Sequence, residues 1–319
     1  MRHPDDGRRH ARQRRGSDRT GGEVMTERIG FIGLGNMGEP MTRNIAQAGF
    51  DLTVYDVDGE RTARIAKEIG AKAAASPEDL GKASDIVVTM LPTGAIVRAV
   101  VLEQGLAQGL APGSLIVDMS SSAPTTTVEL GRTLAESGIG LIDAPVSGAV
   151  PRAKTGTLTI MAGTDDAAQL ERARPVLQAM GEKIFPTGPL GTGHAMKALN
   201  NFSAAAGFAA ASEALILGER FGLDPRTAVE IMNVSTGRNF STEMTIPGEV
   251  LSGRFASGFA LALLAKDVGI AAQLSRDLGA DLPLVAQTDR WWDEALKAAD
   301  GPADHTTAYR HWKAHADRE

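Results

Sequence analysis

The chain contains no cysteine, which excludes disulfide, metal-thiolate and thiol chemistry. No uninterrupted apolar run reaches the length that spans a bilayer, so no membrane partner is expected. No segment repeats at a period of about 20–50 residues, which removes solenoids and propellers. An excess of basic charge is also missing: the formal net charge is −6, whereas nucleic-acid binding usually leaves a basic face. These absences describe a soluble cytoplasmic protein with no nucleic-acid partner, and no metal site is expected. What is present is bulk. With 43% hydrophobic content in 319 residues, the chain can bury a sizeable core and make two domains.

The first 24 residues, MRHPDDGRRHARQRRGSDRTGGEV, stand apart. They hold seven arginines against four acidic residues and almost nothing apolar, and they lack the hydrophobic segment of a signal peptide. They read as a disordered extension or a mis-assigned start, with a nucleic-acid or membrane arm as the other reading. Met25 is the expected beginning of the fold. The tail carries +3, which leaves −9 for the body.

The body opens with RIGFIGLGNMGEPMTRNIAQAGF, a strand, a glycine-rich turn and a helix. After a short apolar run at 29–32, Gly33, Gly35 and Gly38 form G-x-G-x-x-G, and 36–48 carries a helical apolar pattern. The glycines suit a tight turn, close approach of backbone to a pyrophosphate, and tight helix-on-strand packing, with the helix N-terminus facing the anion. A second strand at 52–55 ends at Asp56, 23 residues after Gly33. A carboxylate there accepts hydrogen bonds from ribose hydroxyls and repels the extra phosphate of NADP. NAD is therefore the expected cofactor. Arg61 and Arg64 keep NADP open, and Asp56 also reads as an ordinary strand-end acid.

Further strands at 85–90, 115–118, 139–143, 157–162 and 183–185 alternate with helices from 60, near 95–102, and at 125–137 and 165–180. This is the pattern of a doubly wound, mostly parallel sheet, whose ligands bind beyond the carboxyl ends of the strands. LPTGA after Met90, SSSAP after Met119 and APVSGAV after Asp143 all follow strands and can line one cleft. Ser120, Ser121, Ser147 and Gly148 offer hydroxyls and N–H groups suited to a carboxylate there, although the same residue types are plain turn formers.

The stretch 191–222 reads as one helix of about 28 residues. Pro189 and a Gly-Thr-Gly run in which Thr192 caps start it, and Gly222 ends it. Lys197 and Asn201, four apart, share one face. An ammonium beside an amide on an alanine-rich helix is either a lysine snorkelling to solvent or a functional pair. Beyond Asp224 the pattern is helix after helix, at 225–233, 242–252, 261–278 and 284–299, then a short turn. The apolar faces exceed what one small domain buries, so a homodimer or homotetramer is expected. Trp291, Trp292, Tyr309 and Trp312 read as packing or subunit contacts, or as pocket walls. STGRN at 235–239 reads as a cleft-facing segment or a simple loop.

GFIGLGNMGEPM, MLPT, DMSSSAP, DAPVSGA, GTLTIMAG, GTGHAMKALNN and GFALALLAKDVGIA, in this order and rough spacing, resemble the β-hydroxyacid dehydrogenase family, which includes 3-hydroxyisobutyrate dehydrogenase and tartronate semialdehyde reductase. The resemblance runs from around Met25 nearly to the C-terminus. It implies an α/β fold, with a Rossmann-type dinucleotide-binding domain over 25–190, an interdomain helix over 191–222 and an all-α C-terminal domain over 223–319. It implies a catalytic lysine at Lys197, an orienting asparagine at Asn201, and substrate-binding residues at Ser121, Ser147 and Gly148. Cofactor contacts are implied at Gly33, Gly35, Asn36, Met37, Gly38, Leu91, Pro92 and Lys266, beside Asp56. The implied reaction is hydride transfer between NAD, or NADP, and a small 3-hydroxy acid or its semialdehyde. Two departures stand out. Ser120-Ser121 replaces the usual Ser-Thr and keeps a hydroxyl, and Ala149 replaces a second glycine, which is penalised if that position uses φ > 0.

Oxidising an alcohol removes a hydride, which nicotinamide takes, and a proton, which the protein handles. A lysine ammonium donates in reduction and, when neutral, accepts in oxidation. Free lysine titrates at about 10.4, so burial or the positive nicotinamide has to lower that value. His194 and Asp267 are alternative bases, but His194 reads as a surface or hinge residue at the helix entrance. A decarboxylating sugar-phosphate dehydrogenase, which the turn before His194 and Lys197 also resembles, would want clustered basic residues. Imine reductases usually lack the lysine, and a non-catalytic NAD(P) sensor on the same scaffold does not need it. Lys197, Asn201 and the carboxylate loop together favour the dehydrogenase, with a tartronate- or sulfolactaldehyde-type semialdehyde reductase as the alternative.

Overall fold

The computed structural model describes residues 27–317; the expectations for residues 1–24 and Met25 lie outside them. Strands β1 (Ile29–Ile32), β2 (Leu52–Tyr55), β3 (Lys72–Ala73), β4 (Ile86–Thr89), β5 (Leu115–Asp118) and β6 (Gly140–Asp143) are parallel in the order β3-β2-β1-β4-β5-β6. Helices α1 (Gly38–Gln47), α2 (Gly59–Ile69), α3 (Pro77–Lys82), α4 (Gly94–Arg98), α5 (Leu106–Gly109) and α6 (Pro124–Ala135) connect them. Then come β7 (Val146–Ser147), α7 (Ala149–Thr155), β8 (Leu158–Gly163), α8 (Ala167–Met180) and β9 (Gly181–Gly188). β8 runs antiparallel to β6 and β7 and parallel to β9, so the sheet is mixed at this end only.

The central strands are buried and rich in Ile, Val and Leu because both of their faces are covered. In register, Val54, Phe31, Val88, Val117 and Ile142 point to one face, while Val87, Ile116 and Leu141 point to the other. The same register lines up the strand ends as a row: Tyr55, Ile32, Thr89, Asp118 and Asp143. Two carboxylates therefore stand side by side at the sheet's carboxyl edge.

α9 (Thr192–Phe221) is a single helix of 30 residues bounded by Gly191 at φ +94° and Gly222 at φ +101°. Thr192 does not cap it as expected: its hydroxyl donates to Pro189 O at 2.7 Å. Asp143 takes over, accepting the N–H groups of Gly191 and His194. The remainder is α10 (Pro225–Asn233), α11 (Leu261–Asp277), α12 (Pro283–Lys297) and α13 (Ala308–Ala316), gathered on α9 around Phe208, Leu215, Ile246, Val268 and Trp292. The segment expected as an α-helix at 242–252 is a π-helix, Ser241–Val250, because Pro247 inside it has no N–H for the α ladder. The single helix expected at 95–102 likewise passes into a π-helical turn, Ala99–Glu103. In the 235–239 loop, Asn239 Oδ1 accepts the Ser241 N–H at 2.8 Å. No helix among the described residues is long and apolar enough to cross a membrane.

Trp292 is fully buried, tilted on Phe208 at 5.9 Å and edge-on to Trp312 at 5.3 Å. Its Nε1 has no hydrogen-bond partner among the described residues. Trp292→Ala is therefore expected to cost about 3–5 kcal/mol by urea unfolding. Trp292→Phe should be much milder, since it deletes an unpaired donor along with the volume. Equal losses for the two variants would mean that the indole N–H contributes.

Candidate active site

Beyond the row of strand ends, the chain first makes the glycine turn between β1 and α1. A Cβ at Gly33, which holds φ +98°, would collide with Met90 O, and one at Gly38 would collide with Gly33 O. Only glycine lets β1, the turn and α1 approach this closely. A Cβ at Gly35 would meet nothing within 4 Å. Gly35 and Asn36 are exposed at the crest and Met37 is the N-cap of α1, so the crest is open to a pyrophosphate ahead of a helix N-terminus. Asp56, buried at the end of β2, accepts the N–H groups of Leu34 at 2.7 Å and Asp58 at 2.9 Å. It thus braces the glycine turn, and its oxygens keep lone pairs for hydroxyl donors. Arg61 pairs with Asp56 and Asp58, and Arg64 with Glu39 and Glu68, so both arginines are engaged by acids. Beside Asp56 stands Val57, 93% exposed, an apolar edge with no charge to hold a phosphate. These residues fit a dinucleotide.

Behind the loops lies a buried polar cluster. Asp143 accepts the N–H groups of Gly191 at 2.7 Å and His194 at 2.6 Å. Asp118 accepts Thr89 Oγ1 at 2.9 Å, the Ser120 N–H at 3.0 Å and Ser122 Oγ at 3.1 Å. Burial pushes the Asp143 carboxyl above the usual carboxylate range, against the pull of the His194 ring and the two N–H donors. His194 is not the surface or hinge residue expected. It is 1% exposed, with Nδ1 2.8 Å from Thr127 Oγ1 and Nε2 3.1 Å from Ser120 O. The helix begins against the sheet edge, so its first inward-facing position falls in the core.

One turn further along α9 stands Lys197, part-buried. Loss of surrounding water lowers its pKa from the ordinary lysine value; the Asp267 carboxylate opposes this and the Lys266 ammonium adds to it. Asn201, 7% exposed, donates to Asp267 Oδ2 at 2.6 Å. Lys266 donates to Ser121 O at 3.1 Å, reaches Pro92 O at 3.5 Å and lies 3.1 Å from Asp267 Oδ1. Ser120 Oγ accepts the Leu91 N–H at 2.9 Å. The structure thus gathers Lys197, Asn201, Lys266, Ser121, Leu91 and Pro92. It adds Asp267, considered from sequence only as a rival base, as the anchor of the asparagine. Ser147 and Gly148 stand at the β7–α7 corner, held by pairing of Ser147 with Thr159; no hydrogen bond joins them to the lysine group among the described residues. Nor, among these, is any group of three or more His, Cys, Asp or Glu placed to hold a metal ion.

A mostly parallel sheet with a dinucleotide turn, joined to a helical half by one helix that carries a lysine–asparagine pair, defines a nicotinamide-dependent oxidoreductase. A family model described as the NAD binding domain of 6-phosphogluconate dehydrogenase matches residues 28–188, and one described as NAD-binding of NADP-dependent 3-hydroxyisobutyrate dehydrogenase matches residues 191–312. The chain is 36% identical over 287 residues to the 2-(hydroxymethyl)glutarate dehydrogenase of Eubacterium barkeri, covering 90% of this chain and 95% of the relative. It is 38% identical over 270 residues to the NAD-dependent L-serine dehydrogenase of Pseudomonas aeruginosa, covering 81% and 88%. Its fold is similar to that of Mycobacterium tuberculosis 3-hydroxyisobutyrate dehydrogenase with L-serine, with a TM-score of 0.83 and 32% identity over 90% of this chain and 99% of that one. The chain belongs to the β-hydroxyacid dehydrogenase family and is an NAD(P)-dependent oxidoreductase acting on a CH–OH group.

The departure at Ala149 has a physical counterpart. Gly148 holds φ +128° and Ala149, the first residue of α7, holds φ +52°. The left-handed region costs an L-residue about 1–2 kcal/mol, while glycine loses about 0.4–1 kcal/mol through the unfolded chain. Ala149→Gly is therefore expected to raise stability in urea by roughly 0.5–1 kcal/mol, and Ala149→Val to lower it. A loss with glycine would show that the corner is unstrained.

Proposed function

We propose that the protein oxidises a small 3-hydroxy acid, or reduces the matching semialdehyde, with NAD as the preferred dinucleotide, NADP as the alternative, and Lys197 as the proton carrier. The observation that carries this reading is the desolvated Lys197 ammonium one turn from an amide that Asp267 holds in place, both beside the loop bearing Ser121. The relatives are named for 2-(hydroxymethyl)glutarate, L-serine and 3-hydroxyisobutyrate, and the solved structure of the last is described with L-serine. All three compounds share a CH₂OH on the carbon that bears the carboxylate, and they differ in the third substituent.

Nicotinamide supplies the acceptor or donor of the hydride. Lys197, neutral, takes the alcohol proton in oxidation and, charged, returns one in reduction. Asn201 fixes the reacting oxygen or a neighbouring hydroxyl, its own orientation set by Asp267. The Ser121 and Ser147 hydroxyls and the Gly148 N–H receive the carboxylate. Gly33, Gly35, Asn36, Met37 and Gly38 take the pyrophosphate, and Asp56 the ribose. Leu91, Pro92 and Lys266 line the nicotinamide side. On this reading 25–190 is the dinucleotide-binding domain, 191–222 the shared helix, and 223–319 the substrate and oligomerisation domain. Leu217, Phe221, Ile231, Phe240 and Met244, all exposed, support a homodimer or homotetramer.

The test is NADH or NADPH formation at pH about 9, where more of the lysine is neutral, with 3-hydroxyisobutyrate, L-serine, 2-(hydroxymethyl)glutarate and glycerate. Lys197→Ala should lose roughly 100- to 10,000-fold in kcat while still binding the dinucleotide. Tight dinucleotide binding by the wild type with no turnover of any acid would overturn the reading. The pH profile has a definite sign. Because the folded pKa of Lys197 is lowered, oxidation should rise with pH through an inflection below the free value of about 10.4, and reduction should fall through it. The unfolded lysine binds its proton more tightly than the folded one, so stability should rise with pH across the same window, and Lys197→Met should flatten that slope.

A further inference from the structure

We propose that His194 is a positioning residue: its ring clamps both ends of the segment 120–127 to α9, and so sets where Ser121 stands relative to Lys197. The inference rests on the roles proposed above for those two residues. A carbonyl oxygen only accepts, so the 3.1 Å contact with Ser120 O means that Nε2 carries a proton and donates it. The opposite edge, Nδ1, is 2.8 Å from Thr127 Oγ1. Ser120 enters the loop and Thr127 lies in the first turn of α6 beyond it, so one ring holds the loop at its two ends with Ser121 between them. The ring has little freedom of its own. The His194 N–H is bound to Asp143 at 2.6 Å, and the ring lies 3.7 Å from Asp118 Oδ2 and 3.8 Å from Asp143 Oδ2.

Lys197 follows three residues later, one helical turn on, so ring and ammonium move as one body. Ser120 is also fixed through its side chain, whose Oγ accepts the Leu91 N–H at 2.9 Å. A displacement of the loop by about 1 Å is enough to change turnover by roughly 100-fold. A buried histidine that merely filled space would affect how much protein folds, and not how the folded protein binds its acid.

His194→Ala removes both edges and a large buried volume, so the decisive pair is His194→Gln and His194→Asn. The longer amide reaches the Nε2 position and keeps the Ser120 edge; the shorter one reaches the Nδ1 position and keeps only the Thr127 edge. Steady-state kinetics of the full chain with its best acid, corrected for the folded fraction by melting, should show Asn raising KM for the acid by roughly 10-fold or more. Gln loses the Thr127 edge but keeps the one next to Ser121, so its rise in KM should be smaller than that of Asn, about 3-fold, and the Kd for NAD of both variants should stay within about 3-fold because the glycine turn and Asp56 lie outside the clamped segment. Folded variants with unchanged KM, or with equal losses for Gln and Asn, overturn the proposal while leaving the dehydrogenase reading intact. A wild type that turns over no acid removes that reading and this inference together.

Discussion

Asp143 ends β6 fully buried and accepts two N–H groups from the first turn of α9, and the mutual placement of sheet, helix and site follows from that attachment. An ordinary side-chain cap contributes about 1 kcal/mol, whereas breaking one partner of a buried charged network costs about 3–5 kcal/mol. This is why the helix needs no capping side chain of its own. Gly193 makes the approach possible, since a Cβ there would meet Met161 O and Asp143 O. The carboxylate is raised in pKa by burial, so the dock has an electrostatic cost that the helix N-terminus and the His194 ring offset.

Two lysines that stand close together here have different surroundings. Lys266 has its ammonium engaged by Ser121 O and Asp267, which suits a fixed strut between the two loops and α11. Lys197 has only desolvation and a second cation acting to lower its pKa, with Asp267 the carboxylate that resists. The difference between them is one of partners, not of residue type.

The layered sheet and the nucleotide turn were legible because their causes are local. Strands buried on both faces must be continuous in Ile and Val, and a glycine forced by a neighbouring backbone announces itself by spacing. The shared face of Lys197 and Asn201 was legible because four residues is about one turn. His194 was misread because its partners, Ser120 and Thr127, are 74 and 67 residues away, and no local pattern marks a ring that fits between a distant loop and a distant helix start. Asp267 escaped as the anchor for the same reason, being 66 residues from Asn201. α3 was a different kind of omission: Ser76 capping the Asp79 N–H with Pro77 behind it is a start signal that could have been read. β3 offers none, since its two residues, Lys72 and Ala73, are exposed. The strain anticipated at Ala149 is present, because that position does use positive φ.

A rigid rod held at one end turns small tilts into large displacements only far from where it is held. α9, with 30 residues, is about 45 Å long, and Lys197 stands only about 8 Å from the held end. A tilt of about 5° would carry the distal end through roughly 4 Å and the lysine through less than 1 Å. Lys197 therefore sits near the still point of the lever, and Lys266, bound to Ser121 O, ties α11 back to the sheet loops near the same end. Along this single helix, the residues one or two turns from Asp143 are the ones that a tilt displaces least.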